Sequence, residues 1–156
     1  MQNYEGFSLS LLGTEYAKPL AAMEALIFDQ AWDEKQYRYL LGQSHFLCWG
    51  ILNKGQLCGY ACGYLLAGEL EIVNVAVDKL FRQQGLGTRL IRFVLHQSLA
   101  LGMHRAFLEV RQGNIAAQAL YARCGFVPMG VRPGYYENTG EDALILEWLR
   151  KGSLCD

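Results

Sequence analysis

Residues 69–101 read ELEIVNVAVDKLFRQQGLGTRLIRFVLHQSLAL. The first nine, Glu69 to Val77, carry Ile72, Val73, Val75 and Val77 and read as a strand. From Gly85 to Leu101 the apolar positions are Leu86, Leu90, Ile91, Val94, Leu95 and Leu99, which is helical spacing. Gly102 ends that helix. Between the two lies a loop closing on Gly85-Leu86-Gly87. Glycines at a helix start let the backbone approach a ligand closely, and the exposed N–H groups and helix dipole favour an anion. Arg82 adds a positive charge. The turn matches neither a nucleotide-binding P-loop nor the dinucleotide fingerprint, and the same glycines would also suit a turn that serves packing alone.

Upstream, Phe7 to Leu11 alternates as a strand, Leu20 to Phe28 is helical behind Pro19, and Asp33 caps a short helix to about Leu41. Phe46–Leu52 and Gln56–Leu66 are strands around an Asn53-Lys54-Gly55 turn, and Ala67-Gly68 leads into the Glu69 strand. Downstream, Arg105–Val110 is a strand, Asn114 caps a helix through Arg123, and Phe126–Val131 and Ala143–Trp148 are the last strands. An antiparallel meander followed by strand–helix–strand–helix–strand is an α+β fold with a mixed sheet.

The chain has 156 residues, 52% of them hydrophobic, enough for one domain with a sizeable core. With 14 basic and 15 acidic residues it is not a generally basic nucleic-acid binder. Charge is nevertheless uneven. Residues 1–34 hold six acids and one base, while residues 82–132 hold seven arginines and one acid, Glu109. One half suits a cation and the other an anion such as a phosphate-bearing cofactor. Neither a signal peptide nor a membrane-spanning stretch is read. Five cysteines without a CxxC suit a reducing compartment, and three scattered histidines make no metal site. A cytoplasmic protein of one domain, residues 1–156, is expected.

Arg82-Gln83-Gln84-Gly85-Leu86-Gly87, after Asn74-Val75-Ala76-Val77, resembles the acetyl-coenzyme A motif of the GNAT acetyltransferase superfamily. Leu108-Glu109-Val110-Arg111-Gln112-Gly113-Asn114 and Ala119-Leu120-Tyr121 … Gly125-Phe126 extend the likeness, which is strongest to the RimI type, the ribosomal-protein-alanine N-acetyltransferases. The similarity runs from about Ala22 to Trp148. It implies a mostly antiparallel mixed sheet of six to seven strands with about four helices on both faces. It also implies acetyl-CoA as cosubstrate and no metal. Backbone groups of Val75, Ala76 and Val77 would meet the pantetheine arm. Arg82, Gln83, Gln84, Gly85, Leu86, Gly87 and Thr88 would hold the pyrophosphate, and Asn114 would bond the arm.

Acetyl transfer to an amine needs a neutral nitrogen, a base for its proton and a donor to the leaving thiolate. If Phe107 and Glu109 share a strand face, the Glu109 carboxylate points into a groove; the resemblance makes it the base. It makes Tyr121, seven residues after Asn114 on one helix face, the acid. Taken singly, Glu109 reads equally as an exposed strand residue, Tyr121 as a core tyrosine and Asn114 as a plain cap. Phe28, Trp32, Tyr135 and Tyr136 would line the acceptor groove, although Tyr135 and Tyr136 also suit hairpin packing. Asp29, Asp33, Glu34 and Glu137 would attract a basic peptide. Two positions depart from the RimI pattern: Ala31 stands where proline is usual, and Gly113 where serine is common.

The expected partners are acetyl-CoA and the N-terminus of a ribosomal protein or other peptide, with no direct nucleic acid and no membrane. A small-molecule amine as acceptor, and a non-enzymatic acetyl-CoA sensor, are the alternatives.

Overall fold

The computed structural model describes residues 2–4 and 6–151. Its strands are β1 (Gln2–Tyr4), β2 (Phe7–Leu11), β3 (Phe46–Asn53), β4 (Gln56–Leu66), β5 (Glu69–Val77), β6 (Arg105–Arg111), β7 (Val127–Tyr136) and β8 (Glu141–Leu149). The helices are α1 (Ala17–Ile27), α2 (Glu34–Leu41), α3 (Leu86–Ala100) and α4 (Ile115–Arg123). All eight strands form one sheet in the order β1-β2-β3-β4-β5-β6-β8-β7. Every pairing is antiparallel except β5 with β6. The mixed α+β architecture and the four helices are as expected. The strand count is eight rather than six to seven, because β1 is three residues long and offers too little alternation to read.

Local chemistry sets the meander. Lys54-Gly55 and Ala67-Gly68 both take positive φ, at 49° and 82° and at 51° and 78°. Two such residues in a row make the two-residue turn whose twist matches a hairpin. In α2, Asp33 Oδ1 accepts from the Gln36 amide at 2.8 Å, and Gln36 Oε1 accepts from the Asp33 amide at 2.9 Å. This capping box sets where the helix starts.

The last hairpin is longer than its expected strands. Pro133-Gly134 looks like a break, yet β7 runs through it to Tyr136 with an irregular register after Arg132. An edge strand tolerates the missing proline N–H, and β7 is an edge.

Each face of the sheet has its own core. α3 and α4 bury Leu86, Leu90, Ile91, Val94 and Tyr121 against Ile51, Leu70, Ile72, Leu108 and Leu146. Each such aliphatic side chain contributes roughly 1.5–3 kcal/mol. On the other face α1 and α2 bury Leu20, Met23 and Tyr37 against Phe46, Cys48, Tyr60 and Cys62. The described cysteines, Cys48, Cys58, Cys62 and Cys124, are free and buried; Cys155 lies outside the described residues. No described helix is long and apolar enough to cross a membrane.

The feature that creates the site is a divergence in mid-sheet. β5 pairs with β6 from Glu69↔Arg105 only as far as Ile72↔Leu108, though both strands continue. At that point β4 and β5 slip register, since Cys62 faces Asn74 while Gly63 faces Ile72. Val73 is therefore the extra residue of a bulge, the device that bends a strand. Gly63 is required there. A Cβ on it would lie 2.1 Å from the Glu71 carbonyl oxygen, which is backbone and cannot yield.

Candidate active site

Where β5 and β6 part, a cleft of about 440 Å³ opens, lined by Val73, Asn74 and Val75 on one side and Glu109, Val110 and Arg111 on the other. Sheet geometry decides what enters it. Along β6, Ala106, Leu108 and Val110 are buried under α3 and α4. Alternation turns Phe107, Glu109 and Arg111 to the opposite face. Phe107 and Glu109 therefore share a face, as the sequence suggested. Tyr121, Ala117 and Asn114 reach the same cleft from α4, on the α3/α4 face. Phe28, Tyr135 and Tyr136 complete the lining.

Glu109 is about one-quarter exposed and forms an ion pair with Arg132 Nε at 2.9 Å. Tyr135 stands beside it. The Glu109 charge and a hydrogen bond to that carboxylate raise the Tyr135 hydroxyl above its ordinary pKa. Tyr136 packs edge-on to Tyr135, with ring centres 5.1 Å apart, and the Arg111 guanidinium sits 3.9 Å over its ring. Arg111 also faces Glu141 at 3.8 Å and Thr139 Oγ1 at 3.2 Å. The hairpin tip is thus tied to β6 by a cation.

Tyr121 is buried against Phe126, with ring centres 5.7 Å apart. Burial pushes its hydroxyl pKa up, so the proton is held at neutral pH. Asn114 Oδ1 accepts from the Ala117 amide at 3.2 Å, so its oxygen caps α4. Its NH₂ group remains available to the cleft it lines.

The glycine turn has two left-handed residues, Gln83 at φ 63° and Gly85 at φ 74°. Gly85 begins α3 with no side-chain cap, and the first turn of that helix contains no acid. Its leading N–H groups are therefore suited to an anion. The two glycines have different reasons to be there. Gly85 answers a backbone angle and has open space around it. A Cβ on Gly87 would meet Leu120 Cδ1 at 2.6 Å, so Gly87 lets α3 and α4 approach.

Not every expected residue comes to the cleft. Trp32 does not line it. Its ring packs edge-on against Tyr37 and Phe46, with centres 5.5 and 6.2 Å away, in the core under α2. Asp33 is occupied as a helix cap, and Glu34 pairs with Arg38 at 2.8 Å. Asp29 and Glu137 remain exposed. Arg82 donates from Nε to the Val77 carbonyl at 2.8 Å. Ala76 and Leu86 point their side chains into the two cores, which leaves only their backbone for a ligand. Arg132 and Glu71, which lines the cleft from β5, were not read from the sequence. Arg132 reaches Glu109 across β8, which lies between β6 and β7, and residue spacing carries no sign of that order.

Residues 17–126 match the model of the Acetyltransferase (GNAT) family. The chain is 34% identical over 148 residues to the N-alpha-acetyltransferase RimI of Mycobacterium tuberculosis strain H37Rv, covering 91% of this chain and 92% of that one. Over 117 residues it is 32% identical to the ribosomal protein bS18-alanine N-acetyltransferase of Escherichia coli K12, covering 74% and 78%. The crystal structure of the ribosomal-protein-S18-alanine N-acetyltransferase from Escherichia coli matches with a TM-score of 0.85 at 27% identity, over 96% of this chain and 99% of that one. Arabidopsis thaliana NAA60, solved with a bisubstrate analogue, has the same fold at 17% identity and a TM-score of 0.83, over 94% and 99% of the two chains. A family model spanning most of the chain, and a relative alike along nearly its whole length, agree with the divergent strands and uncapped glycine turn: this chain belongs to the GNAT acetyltransferase family.

Proposed function

We propose that this protein transfers the acetyl group of acetyl-CoA to the N-terminal α-amine of a ribosomal protein, with alanine as the acceptor residue. The observation that carries this reading is that Glu109 and Tyr121 enter one cleft from opposite faces of the sheet. A base on one side and an acid on the other match a reaction in which a nitrogen attacks a thioester from one direction and a thiolate departs in the other.

In this reading the amine nitrogen forms a bond to the thioester carbonyl carbon and the carbon–sulfur bond breaks. Glu109 takes the nitrogen's proton, and Tyr121 gives its own to the thiolate. The unpaired edge of β5, at Val75, Ala76 and Val77, offers backbone groups to the amides of the pantetheine arm. Asn114 adds its NH₂. Arg82, Gln83, Gln84, Gly85, Leu86, Gly87 and Thr88 hold the pyrophosphate with helix-start amides and one guanidinium. Phe28, Tyr135 and Tyr136 flank the acceptor.

The acceptor class follows from acidity. An α-amine of pKa about 7.7–8.0 is roughly one-tenth neutral at pH 7, against fewer than about one in a thousand lysines. A carboxylate base suits the former. Exposed Glu71 and Asp29 favour a cationic chain following the acceptor residue. We place the reaction in the cytoplasm, where free cysteines persist. Residues 1–156 act as one acetyltransferase domain.

The test is mass spectrometry of two peptides incubated with acetyl-CoA. One begins with a free alanine followed by arginines. The other has a blocked N-terminus and one internal lysine. Acetylation of the first alone is expected. Acetylation of neither, with a polyamine acetylated instead, would replace the peptide with a small amine.

A further inference from the structure

Among the described residues only one charged side chain is fully buried: Glu24 of α1, 1% exposed. A carboxyl removed from water must be held by donors. Glu24 has three. Oε1 accepts from the Trp32 backbone amide at 2.9 Å. Oε2 accepts from the Tyr60 hydroxyl at 2.7 Å and from the Tyr37 hydroxyl. The two tyrosines pack edge-on to one another, and Tyr37 packs edge-on to Trp32. No part of the catalysis described above uses this cluster.

Its position gives it a use. The segment between α1 and α2, residues 28–33, delivers Phe28 to the acceptor side of the cleft. The backbone carbonyl of Glu24 accepts from the Phe28 amide at 2.8 Å, which ends α1. Its side chain holds Trp32, eight residues after Glu24. One residue therefore grips both ends of the segment. Asp33 turns away to cap α2. The Trp32 amide bond, together with the packing of the Trp32 ring on Tyr37 and Phe46, ties residues 29–32 to the body of the protein.

We infer that Glu24 is a positioning residue for acceptor binding: its buried carboxylate, braced by Tyr37 and Tyr60 and bonded to the Trp32 amide, fixes the Phe28 segment at the cleft. The inference rests on the acceptor reading above. Removing the anchor frees that segment, so the acceptor KM rises while acetyl-CoA, held by other elements, binds as before.

The experiment compares three proteins. Glu24→Met keeps the side chain's length but offers the Trp32 amide no acceptor. The triple variant Glu24→Met/Tyr37→Phe/Tyr60→Phe also removes the hydroxyls that the first change strands, which gives a matched apolar core that folds where the single variant does not. The double variant Tyr37→Phe/Tyr60→Phe keeps the carboxylate and its bond to Trp32. Three readouts are taken: amide hydrogen exchange across residues 28–33, the Kd of acetyl-CoA, and KM and kcat for the alanine-first peptide.

For the triple variant we expect at least tenfold faster exchange at Trp32, a tenfold or greater rise in peptide KM, and an acetyl-CoA Kd within twofold of wild type. The double variant, which strips the braces but keeps the acceptor for the Trp32 amide, should fall between wild type and the triple variant in both exchange and peptide KM. Unchanged exchange in the triple variant would overturn the anchor. Faster exchange with an unchanged peptide KM would overturn its role in acceptor binding. If wild-type protein acetylates no peptide, the acceptor reading fails separately, and the exchange data still decide whether Glu24 holds the segment.

Discussion

Replacing Tyr121 by phenylalanine isolates one proton. The ring stays, and so does its edge-on contact with Phe126 at 5.7 Å. The fold should therefore lose less than about 1 kcal/mol, the scale of one net hydrogen bond. Catalysis should lose far more. A positioned general acid is worth roughly 10²–10⁴ in rate, which is about 2.7–5.5 kcal/mol on the barrier. The structure adds a qualification about pH. Burial raises the Tyr121 pKa, so the hydroxyl is still protonated at the alkaline end of an ordinary assay, and wild-type turnover should not fall there through loss of this proton. The assay is release of free thiol with peptide as acceptor, with acetyl-CoA binding measured by calorimetry on the same samples. An acetyl thioester whose thiol is more acidic needs less protonation on leaving, so with that donor the deficit should shrink. Turnover within threefold of wild type would refute the assignment, as would a loss that lies entirely in acetyl-CoA affinity.

Glu109→Gln should cut turnover most steeply below pH 7, where neutral α-amine is scarce, with rates across pH 6–9 as the measurement. The same change removes the charge that raises Tyr135, so the Tyr135 hydroxyl should titrate at lower pH in an ultraviolet titration of Glu109→Gln against wild type. Gly63→Ala sets a Cβ 2.1 Å from a backbone oxygen and should cost about 2 kcal/mol, or roughly 4–8 °C in Tm by calorimetry. Burial raises the pKa of Tyr37 and Tyr60 above the ordinary tyrosine range. Below pH 10 both folded and unfolded chains keep these protons. Above it the unfolded chain ionises while the folded one does not. Stability should then fall by about 1.4 kcal/mol per pH unit for each tyrosine, and urea midpoints between pH 9 and 11 should show Tyr60→Phe with the shallower decline.

Much of this architecture is written in local signals. The strand-to-helix change of period at Gly85 locates α3 to within one residue at each end. The alternation around Glu109 places its side chain opposite Leu108 and Val110. Tyr121 and Asn114, seven residues apart on α4, meet at the cleft because two helical turns return to the same face. The failures are long-range. Trp32 is an aromatic in a segment that borders the groove, and only tertiary packing shows that its ring points the other way. Arg132 finds Glu109 across an intervening strand. The bulge at Val73 leaves no mark on β5 itself; its sign is Gly63 on the neighbouring strand, where a glycine between Cys62 and Tyr64 reads as weak strand and not as clearance.

The cleft passes through the sheet, with α4 behind it and the Phe28 segment and β7 hairpin in front. A site of this form has two doorways. In the proposed reaction the donor and the amine would then approach from opposite faces of the sheet. The wall between the two compartments is the pair of parting strands itself: Tyr121 and Asn114 stand on the α4 side of it, and Phe28, Glu109 and Tyr135 on the other.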